Sequence, residues 1–465
     1  MVSLITSVKE HVKASTGGSI DLNEFFHKII GECREIQEKY SPFITMKENI
    51  SASHGNGILF GVPISAKDCI CTADMRTTAG SKVLENYMPP YDATCITKAK
   101  AAGASLIGKT AQDEFGFGTF TANCAYSVPK NPYDAKRSCG GSSGGAACLT
   151  AAARFPHIAI AESTGGSITA PAAFTGTVGI TPTYGRVSRY GLIDYSNSMD
   201  KIGVIAKSVD DAALGLSAIA GHDPKDSTSS PRPYDDIIDG LSVKGMKVGI
   251  PMEYFSDKID GRISKLVLDR IKSLESHGIK CEEMSLPLTR YAVPAYYLIA
   301  VSEASTNLAK YCGLRYGTQG DMDGNFDSYF TKIRSGSFGE EAKRRIILGT
   351  FARMAGFRNA YYIKALKVRS LIIKEFKKAF GKYDALMAPS MPMLAPTFKE
   401  IGELSPAQVY SMDMLTAPSN LACMPTISLN AGMISNLPAG IQIIGDHFEE
   451  RKIIALGRAL ESVCK

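Results

Sequence analysis

The sequence lacks several features that would place a protein in a broad class at once. Its 465 residues contain no tryptophan and only seven histidines, and no apolar run approaches the length of a membrane span. The net charge of +6 is too small for this length to identify a nucleic-acid-binding protein. Charges come early, at Lys9, Glu10 and Lys13, without the apolar block of a secretory leader. These absences favour a cytoplasmic protein that does not enter a membrane.

The cysteines and histidines form no recognisable metal or disulfide pattern. The eleven cysteines are scattered along the chain and include no C-x-x-C pair. No histidine lies in a setting that suggests catalysis, and the G-x-S-x-G turn of many serine hydrolases is missing. We therefore expect no metal site. A histidine base is not the favoured candidate, although residues far apart in sequence can meet in the fold.

Helical and extended patterns alternate along most of the chain. Residues 94–102 predict a helix and 104–107 a short buried strand, while 247–250, 262–276 and 279–284 predict a strand, an amphipathic helix and a second strand. This alternation predicts an α/β fold whose central sheet is covered by helices. Residues 1–50 are helical and polar, so we expect an N-terminal helical segment (1–50) and one large domain (51–465).

One segment matches a nucleotide-binding motif but lacks its setting. Residues 103–110, GASLIGKT, fit the phosphate-loop pattern G-x-x-x-x-G-K-[ST] letter for letter. A phosphate loop follows a strand and needs flexible backbone between its glycines. Here the first glycine ends a helix, and the intervening ASLI is itself the predicted strand. We therefore predict that this segment is structural.

Two serine–glycine turns lie close together, and a lysine ends an earlier apolar strand. Residues 140–145 read GGSSGG, residues 164–168 read TGGSI, and Lys67 ends the segment GVPISAK. Glycines let backbone N–H groups approach a ligand closely, and a desolvated lysine can act as a neutral base. A proton path from a nucleophilic Ser167 through Ser142 to Lys67 would use all three groups.

The same residues also have structural interpretations, which spacing alone favours. Lys67 stands next to Asp68 and is compatible with a surface ion pair. The GGSSGG turn is compatible with the start of a helix over residues 146–153, and Ser167 with a helix N-cap.

Taken together, the strand that ends in lysine and the two serine turns resemble the amidase signature family, which uses a Ser–Ser–Lys triad. The resemblance implies that Lys67 is the general base, Ser142 the bridging serine, which follows a cis peptide bond, and Ser167 the acyl-forming nucleophile. It implies one large α/β domain with a central mixed β-sheet covered by helices on both faces. It also implies an oxyanion hole of backbone N–H groups from Thr164, Gly165 and Gly166.

Further segments resemble one branch of that family, the amidase (A-type) subunits of glutamyl-tRNA(Gln)/aspartyl-tRNA(Asn) amidotransferases. They include PTYGRVSRYGL at 182–192, YDAT at 91–94, DEF at 113–115 and GIQ at 440–442. The resemblance implies that Tyr296, Arg345 and Asp413 hold glutamine. An arginine can bind an α-carboxylate through paired hydrogen bonds, and an aspartate can accept from an α-ammonium. Arg345 also lies in a KRR run that is compatible with a solvated helix face.

The resemblance further implies a division of labour between chains. This chain would hydrolyse glutamine without a cofactor of its own. The B and C subunits of such an amidotransferase would complete a heterotrimer with it. Of these, the B-type chain would use the ammonia, with ATP and Mg²⁺, to convert mischarged Glu-tRNA(Gln) or Asp-tRNA(Asn), and the C-type chain would be small. The alternative is a free-standing amidase with the same triad that acts on small amides.

The chain departs from the family at the residues that flank the nucleophile turn. The family pattern is like D-T-G-G-S-I-R, whereas Ser163 and Thr169 occupy the two charged positions here. Losing both charges together avoids a lone buried charge, and the triad positions are intact. Glu162 is a candidate for a displaced carboxylate. A non-catalytic scaffold remains a third hypothesis because of this departure.

Overall fold

An eleven-stranded mixed sheet forms the centre of the molecule in a computed structural model that describes residues 7–50, 57–234, 240–322 and 324–464. The strands in those residues are β1 (Phe43–Met46), β2 (Pro63–Lys67), β3 (Ser105–Thr110), β4 (Lys130–Asn131), β5 (Asp134–Ser138), β6 (Ile158–Ser163), β7 (Val178–Thr181), β8 (Lys201–Ala206), β9 (Lys247–Pro251), β10 (Lys280–Met284), β11 (Ala385–Pro389), β12 (Thr426–Ile434) and β13 (Leu437–Gly445). The order in the sheet is β1-β3-β2-β6-β8-β7-β12-β13-β11-β9-β10, and β4 pairs with β5 separately. β3, β2 and β6 are parallel, as are β11, β9 and β10, and the strands between these groups pair antiparallel.

Helices connect the strands and cover the sheet. They are α1 (Val8–Thr16), α2 (Leu22–Tyr40), α3 (Thr94–Ala101), α4 (Gly144–Ala152), α5 (Thr169–Thr175), α6 (Val209–Ile219), α7 (Gly261–Ser273), α8 (Ala292–Asn307), α9 (Phe326–Ser337), α10 (Glu340–Arg353), α11 (Lys364–Phe380), α12 (Phe398–Glu403), α13 (Pro406–Ser411), α14 (Ala417–Leu421) and α15 (Glu450–Cys464). The helix predicted at 94–102 corresponds to α3, and the strands predicted at 247–250 and 279–284 correspond to β9 and β10. Within the described ranges, the structure contains no helix with the length and apolarity that a membrane crossing requires.

The central strands are buried on both faces because two layers of helices enclose them. α3, α6, α7 and α15 are linked by mutual contacts in one layer, and α2, α4 and α5 in the other. β6 and β8 contact both α4 and α6, and every residue of these two strands is buried. Strands covered on both faces are rich in apolar residues, as are IAIA in β6 and IGVIA in β8. The predicted α/β fold with a mixed sheet and helices on both faces is therefore confirmed.

The second N-terminal helix, α2, packs at the edge of the sheet that β1 forms, whereas α1 packs against α6. Phe26 and Ile29 of α2 are buried in one cluster with Phe43 of β1 and with Phe155. Because β1 pairs antiparallel with β3, residues 43–46 belong to the same sheet as the rest of the chain. The boundary placed near residue 50 stays a prediction, and residues 51–56 lie outside the described ranges.

The segment that matches the phosphate-loop pattern is a buried strand. Its residues 105–110 form β3, which pairs with β1 on one side and with β2 on the other. Lys109 Nζ is fully buried, donates to the Ile70 carbonyl and to Thr77 Oγ1 at 2.6 Å each, and lies 3.7 Å from Asp68 Oδ1. The lysine that a phosphate loop would offer to a nucleotide is therefore used inside the fold, and the segment is structural, as predicted.

Replacing Lys109 with methionine should destabilise the fold strongly. The substitution leaves Asp68 buried without its cation, and breaking a buried ion pair in this way costs about 3–5 kcal/mol. Burial already raises the pKa of Asp68, and the charge of Lys109 is the largest opposing influence. Denaturant unfolding measures the loss in the free energy of unfolding.

The control is Lys265→Met, because Lys265 forms an exposed pair with Asp269 one helical turn away. Such a pair contributes less than about 1 kcal/mol. Equal losses of stability in the two variants would contradict the role given to Lys109.

Candidate active site

The parallel pairing of β2 and β6 brings the ends of these strands together. Ala66 pairs with Ile160, so Lys67 and Glu162 emerge at the same edge of the sheet. The carboxyl ends of parallel strands are where open α/β sheets form ligand sites. The turn that carries Ser167 follows β6 directly.

The Lys67 amino group is completely buried and has three acceptors around its Nζ. Its Nζ donates to Ser142 Oγ at 2.7 Å, to Glu162 Oε2 at 2.7 Å and to the Glu162 carbonyl at 3.0 Å. A buried charge is tolerated when it is paired and hydrogen-bonded in this way. The alternative of a surface pair between Lys67 and Asp68 is wrong, because Asp68 is buried and faces Lys109 instead.

The double-serine turn packs against the nucleophile turn. The Ser143 N–H donates to the Ser167 carbonyl at 3.1 Å, and the Gly141–Ser142 peptide bond is cis. A Cβ on Gly141 would lie 2.6 Å from two backbone nitrogens of the neighbouring segment, so only glycine fits there. α4 begins directly after the double serine. The fold thus brings both serine turns to the end of the lysine strand.

Ser167 lies in the turn between β6 and α5 with its hydroxyl unengaged. The residue is only 7% exposed, and its Oγ has no hydrogen-bond partner among the residues that the structure describes. The residue at the N-cap of α5 is Ile168, and no side chain caps that helix. The N-cap interpretation of Ser167 is therefore wrong, and the hydroxyl is available for chemistry.

Backbone N–H groups beside Ser167 are the candidate oxyanion donors. Those of Gly165 and Ser167 have no acceptor in the described part of the chain, whereas the N–H of Gly166 donates to Ser163 Oγ at 3.2 Å. Gly166 has a φ of +143°, a value that side chains disfavour. The predicted set Thr164, Gly165 and Gly166 stays a prediction, and within it the N–H of Gly165 is free in the described ranges whereas that of Gly166 is engaged.

The two residues in the family's charged positions bond to the same glycine. Ser163 Oγ accepts from the N–H of Gly166, and Thr169 Oγ1 donates to the Gly166 carbonyl at 3.2 Å. Two neutral hydroxyls therefore hold the nucleophile turn where the family carries an aspartate and an arginine. The exchange leaves no unpaired charge in this buried turn.

Arg345 lies on α10 inside a cage of aromatic rings. Its guanidinium carbon is 5.0–5.6 Å from four ring centroids, those of Phe117, Tyr195, Tyr297 and Tyr410. Nη1 donates to the Tyr195 hydroxyl at 2.5 Å, and Nε donates to Glu341 Oε1 at 2.8 Å. Because Arg345 is only 2% exposed, the interpretation of the KRR run as a fully solvated helix face is wrong. Ring faces stabilise a cation most when water is excluded.

Tyr296 and Asp413 border the same aromatic cage. Asp413 Oδ2 accepts from the Tyr297 hydroxyl at 2.6 Å, and Oδ1 accepts from Thr119 Oγ1 at 3.1 Å. Burial raises the pKa of Asp413 to about 6, although these hydrogen bonds and the charge of Arg345 oppose the increase. Tyr296 packs edge-on against Tyr297, with ring centroids 4.9 Å apart.

The cage adjoins the serine turns at two points. A Cβ on Gly165 would lie 2.4 Å from Tyr296 Cζ, so that ring packs directly on the nucleophile turn. Phe117 belongs to the cage, and a Cβ on the preceding Gly116 would lie 3.5 Å from Ser142 Oγ. The structure therefore places the three residues predicted to hold glutamine beside the predicted triad.

Sequence reasoning missed most of the cage. Tyr195, Tyr297 and Tyr410 lie on a loop, on α8 and on α13, and no common spacing relates them. Tyr195 follows closely on the segment 182–192, and this proximity was the one signal that could have pointed to it. No group of three or more histidine, cysteine, aspartate or glutamate side chains among the described residues is arranged to hold a metal ion.

The fold and the lysine-bound serine beside a second serine are those of an amide hydrolase. The profile of the Amidase family matches residues 21–454, and the chain belongs to that family. It is 49% identical over 418 residues to the A-type subunit of the glutamyl-tRNA(Gln) amidotransferase of Carboxydothermus hydrogenoformans, a match that covers 89% of this chain and 85% of that protein. The corresponding protein of Geobacillus sp. (strain WCH70) is 45% identical over 444 residues, or 92% and 90%. The crystal structure of the same type of subunit from Thermotoga maritima matches with a TM-score of 0.84 at 36% identity, over 98% of this chain and 94% of the other.

Asp413 is predicted to accept from the α-ammonium of glutamine, so the affinity for glutamine should fall at acid pH, where this carboxylate becomes protonated. A neutral Asp413 cannot balance an α-ammonium, so KM should rise as the pH falls through about 6 and stay level above it. Steady-state KM values between about pH 5 and pH 8 measure this change. Asp413→Asn should have a high KM that no longer depends on pH in this range. A variant that keeps the acid rise in KM would contradict the assignment.

Proposed function

We propose that this chain is the glutaminase subunit of a tRNA-dependent amidotransferase and that Lys67, Ser142 and Ser167 carry its chemistry. The observation that supports this most is the hydrogen bond from Lys67 Nζ to Ser142 Oγ, in a turn whose next residue, Ser143, donates its N–H to the Ser167 carbonyl. Relatives that bear the name of that subunit are 43–49% identical over most of the chain. This identity favours the amidotransferase over a free-standing amidase with the same triad.

In the proposed reaction, Ser167 Oγ attacks the side-chain amide carbon of glutamine. Its proton passes to Ser142 Oγ, whose own proton passes to Lys67. Lys67 must enter this step as a neutral amine, and two N–H bonds then remain to hold it in place. The C–N bond breaks as the leaving amine takes the proton back, so ammonia departs and a glutamyl ester remains. Water hydrolyses the ester through the same relay.

The aromatic cage is proposed to hold the α-groups of glutamine. Arg345 Nη2 has no partner among the described residues and can donate to the α-carboxylate. Asp413 is proposed to accept from the α-ammonium, and Tyr296 to line the path between the cage and the nucleophile turn. The N–H groups of Thr164, Gly165 and Gly166 are the proposed oxyanion donors, with Gly165 foremost.

ATP, Mg²⁺ and the mischarged tRNA belong to other chains in this proposal. Ammonia would pass to the B-type chain, which would use ATP and Mg²⁺ to activate Glu-tRNA(Gln) or Asp-tRNA(Asn), and the C-type chain would complete the heterotrimer. The burial of Lys109 in β3 supports this division, because the phosphate-loop pattern of this chain is not used for a nucleotide.

Ser167→Ala should abolish glutamine hydrolysis, because it removes the hydroxyl that forms the glutamyl ester in the proposed reaction. We expect kcat to fall more than about 10⁴-fold. With hydroxylamine present, the wild-type complex should form glutamyl hydroxamate and the variant should form none. The control is Ser390→Ala, which removes a buried serine bonded to Ser428 on other strands of the sheet. Undiminished hydrolysis by Ser167→Ala would overturn the proposed mechanism.

Co-expression with candidate B and C subunits tests the proposed assembly. We expect the three chains to purify together and to convert Glu-tRNA(Gln) or Asp-tRNA(Asn) only with glutamine and ATP. A chain that remains alone and hydrolyses simple amides at full rate would instead support the free-standing amidase.

A further inference from the structure

A second buried network is joined to Lys67 through Glu162. Glu162 binds Lys67 through Oε2, and its Oε1 accepts from Thr164 Oγ1 at 2.7 Å. The same Thr164 hydroxyl lies 2.7 Å from Asp200 Oδ1. The other oxygen of Asp200 accepts the backbone N–H groups of Tyr195 and Ser196 at 2.8 and 2.9 Å. The network thus contains two buried carboxyl groups joined by one hydroxyl.

One hydroxyl joins the two carboxyl groups of this network. A threonine hydroxyl has one proton, yet Thr164 Oγ1 is within hydrogen-bond distance of a carboxyl oxygen on each side. Burial raises the pKa of Asp200 well above its usual value, and the charge of Glu162 adds to the increase. Of the two carboxyl groups, Glu162 is the one within ion-pair distance of Lys67.

The other carboxylates near Lys67 have different partners. Asp113 accepts the backbone N–H groups of Thr121 and Asn123 through its two oxygens. Asp68 faces Lys109. Among the described residues, Glu162 is accordingly the one carboxylate in contact with the Lys67 ammonium.

We propose that Glu162, held in place by Thr164 and Asp200, is a positioning residue that fixes Lys67 Nζ against Ser142 Oγ and balances the ammonium formed during acylation. This role rests on the proposed function, because it matters only if Lys67 receives the proton of the nucleophile. Glu162 itself touches neither Ser167 nor the aromatic cage. Its effect is exerted through Lys67, on the rate of the chemical step and not on the binding of glutamine.

The network also gives a physical reason for the altered nucleophile turn. Ser163 and Thr169 hold that turn with neutral hydroxyls, so no carboxylate is needed to hold the turn itself. The carboxylate belongs instead to Glu162, one residue before Ser163, and it contacts Lys67. A single residue of displacement at the end of β6 changes the side of the strand from which a side chain projects.

Glu162→Gln is the decisive variant, because glutamine keeps the size of the side chain and removes its charge. In the assembled complex we expect kcat for glutamine hydrolysis to fall about 10- to 100-fold, as for other residues that orient a catalytic group. KM for glutamine should stay within about twofold, because Arg345 and Asp413 are untouched. Glu162→Asp keeps the charge and should recover part of kcat, a rescue that a purely steric role would not produce.

Thr164→Val provides a second test, because it keeps both members of the Lys67–Glu162 pair and removes only a hydrogen bond to Glu162. Valine keeps the shape of threonine and removes the hydroxyl that joins the two carboxyl groups. We expect a smaller loss of kcat, again with KM unchanged. This variant also decides the question if Glu162→Gln does not fold, because then an unchanged kcat in Thr164→Val would overturn the proposal.

The matched control is Glu450→Gln, which breaks a buried ion pair with Arg186 that takes no part in the site. It should lower stability and leave kcat close to wild type. A wild-type kcat in Glu162→Gln, or an equal loss of kcat in Glu450→Gln, would overturn the proposal. Ser167→Ala distinguishes failure of the proposed function from failure of the role of Glu162. If Ser167→Ala is active, the proposed function is wrong. If Ser167→Ala is inactive and Glu162→Gln is fully active, only the role of Glu162 is wrong.

Discussion

The structure depends on one buried polar group, the amino group of Lys67. An isolated ammonium in a protein interior is very unfavourable, so the surroundings must supply acceptors for all three of its protons. The parallel pairing of β2 with β6 supplies the carboxylate and the carbonyl of Glu162, and the double-serine turn supplies Ser142 Oγ. The same contacts also hold Ser142 Oγ at hydrogen-bond distance from Lys67 Nζ, which accepts a proton in the proposed reaction once it is a neutral amine. The three hydrogen bonds of Lys67 therefore both stabilise its buried amino group and position it for the reaction.

Two kinds of environment meet at the nucleophile turn. On one side are the lysine and its carboxylate, in a network of short polar contacts. On the other side is Arg345, which is held mainly by aromatic rings and keeps part of its guanidinium unengaged. A water-poor setting strengthens both the ion pair and the hydrogen bonds that a bound amino acid would make. The ring of Tyr296 on Gly165 is the contact that keeps the two environments adjacent.

The sequence predicts those parts of the molecule that short segments determine. The alternation of patterns predicts the α/β fold, and the run ASLI between two glycines predicts a strand in place of a phosphate loop, because a buried apolar segment leaves no free backbone for phosphate. The serine turns and Lys67 are recognisable because their motifs are specific. The roles assigned to the triad and the oxyanion donors remain predictions.

The parts that could not be predicted arise from contacts between distant segments. The rings around Arg345 come from separate loops and helices, so no local pattern marks them. The side chain of Thr164, which joins Glu162 to Asp200, has a role that depends on two strands of the sheet meeting at their ends. Glu162 was identifiable as a candidate carboxylate, but its contact with Lys67 depends on the register of β2 against β6.

The most direct test of the account is to follow acylation itself. The complex is mixed with glutamine, quenched in acid at short times and digested, and the peptides are weighed by mass spectrometry. The account predicts one glutamyl group, carried by the peptide that contains Ser167, and a far slower appearance of this adduct in Lys67→Met. A glutamyl group on another residue, or acylation of Lys67→Met at the wild-type rate, would contradict it.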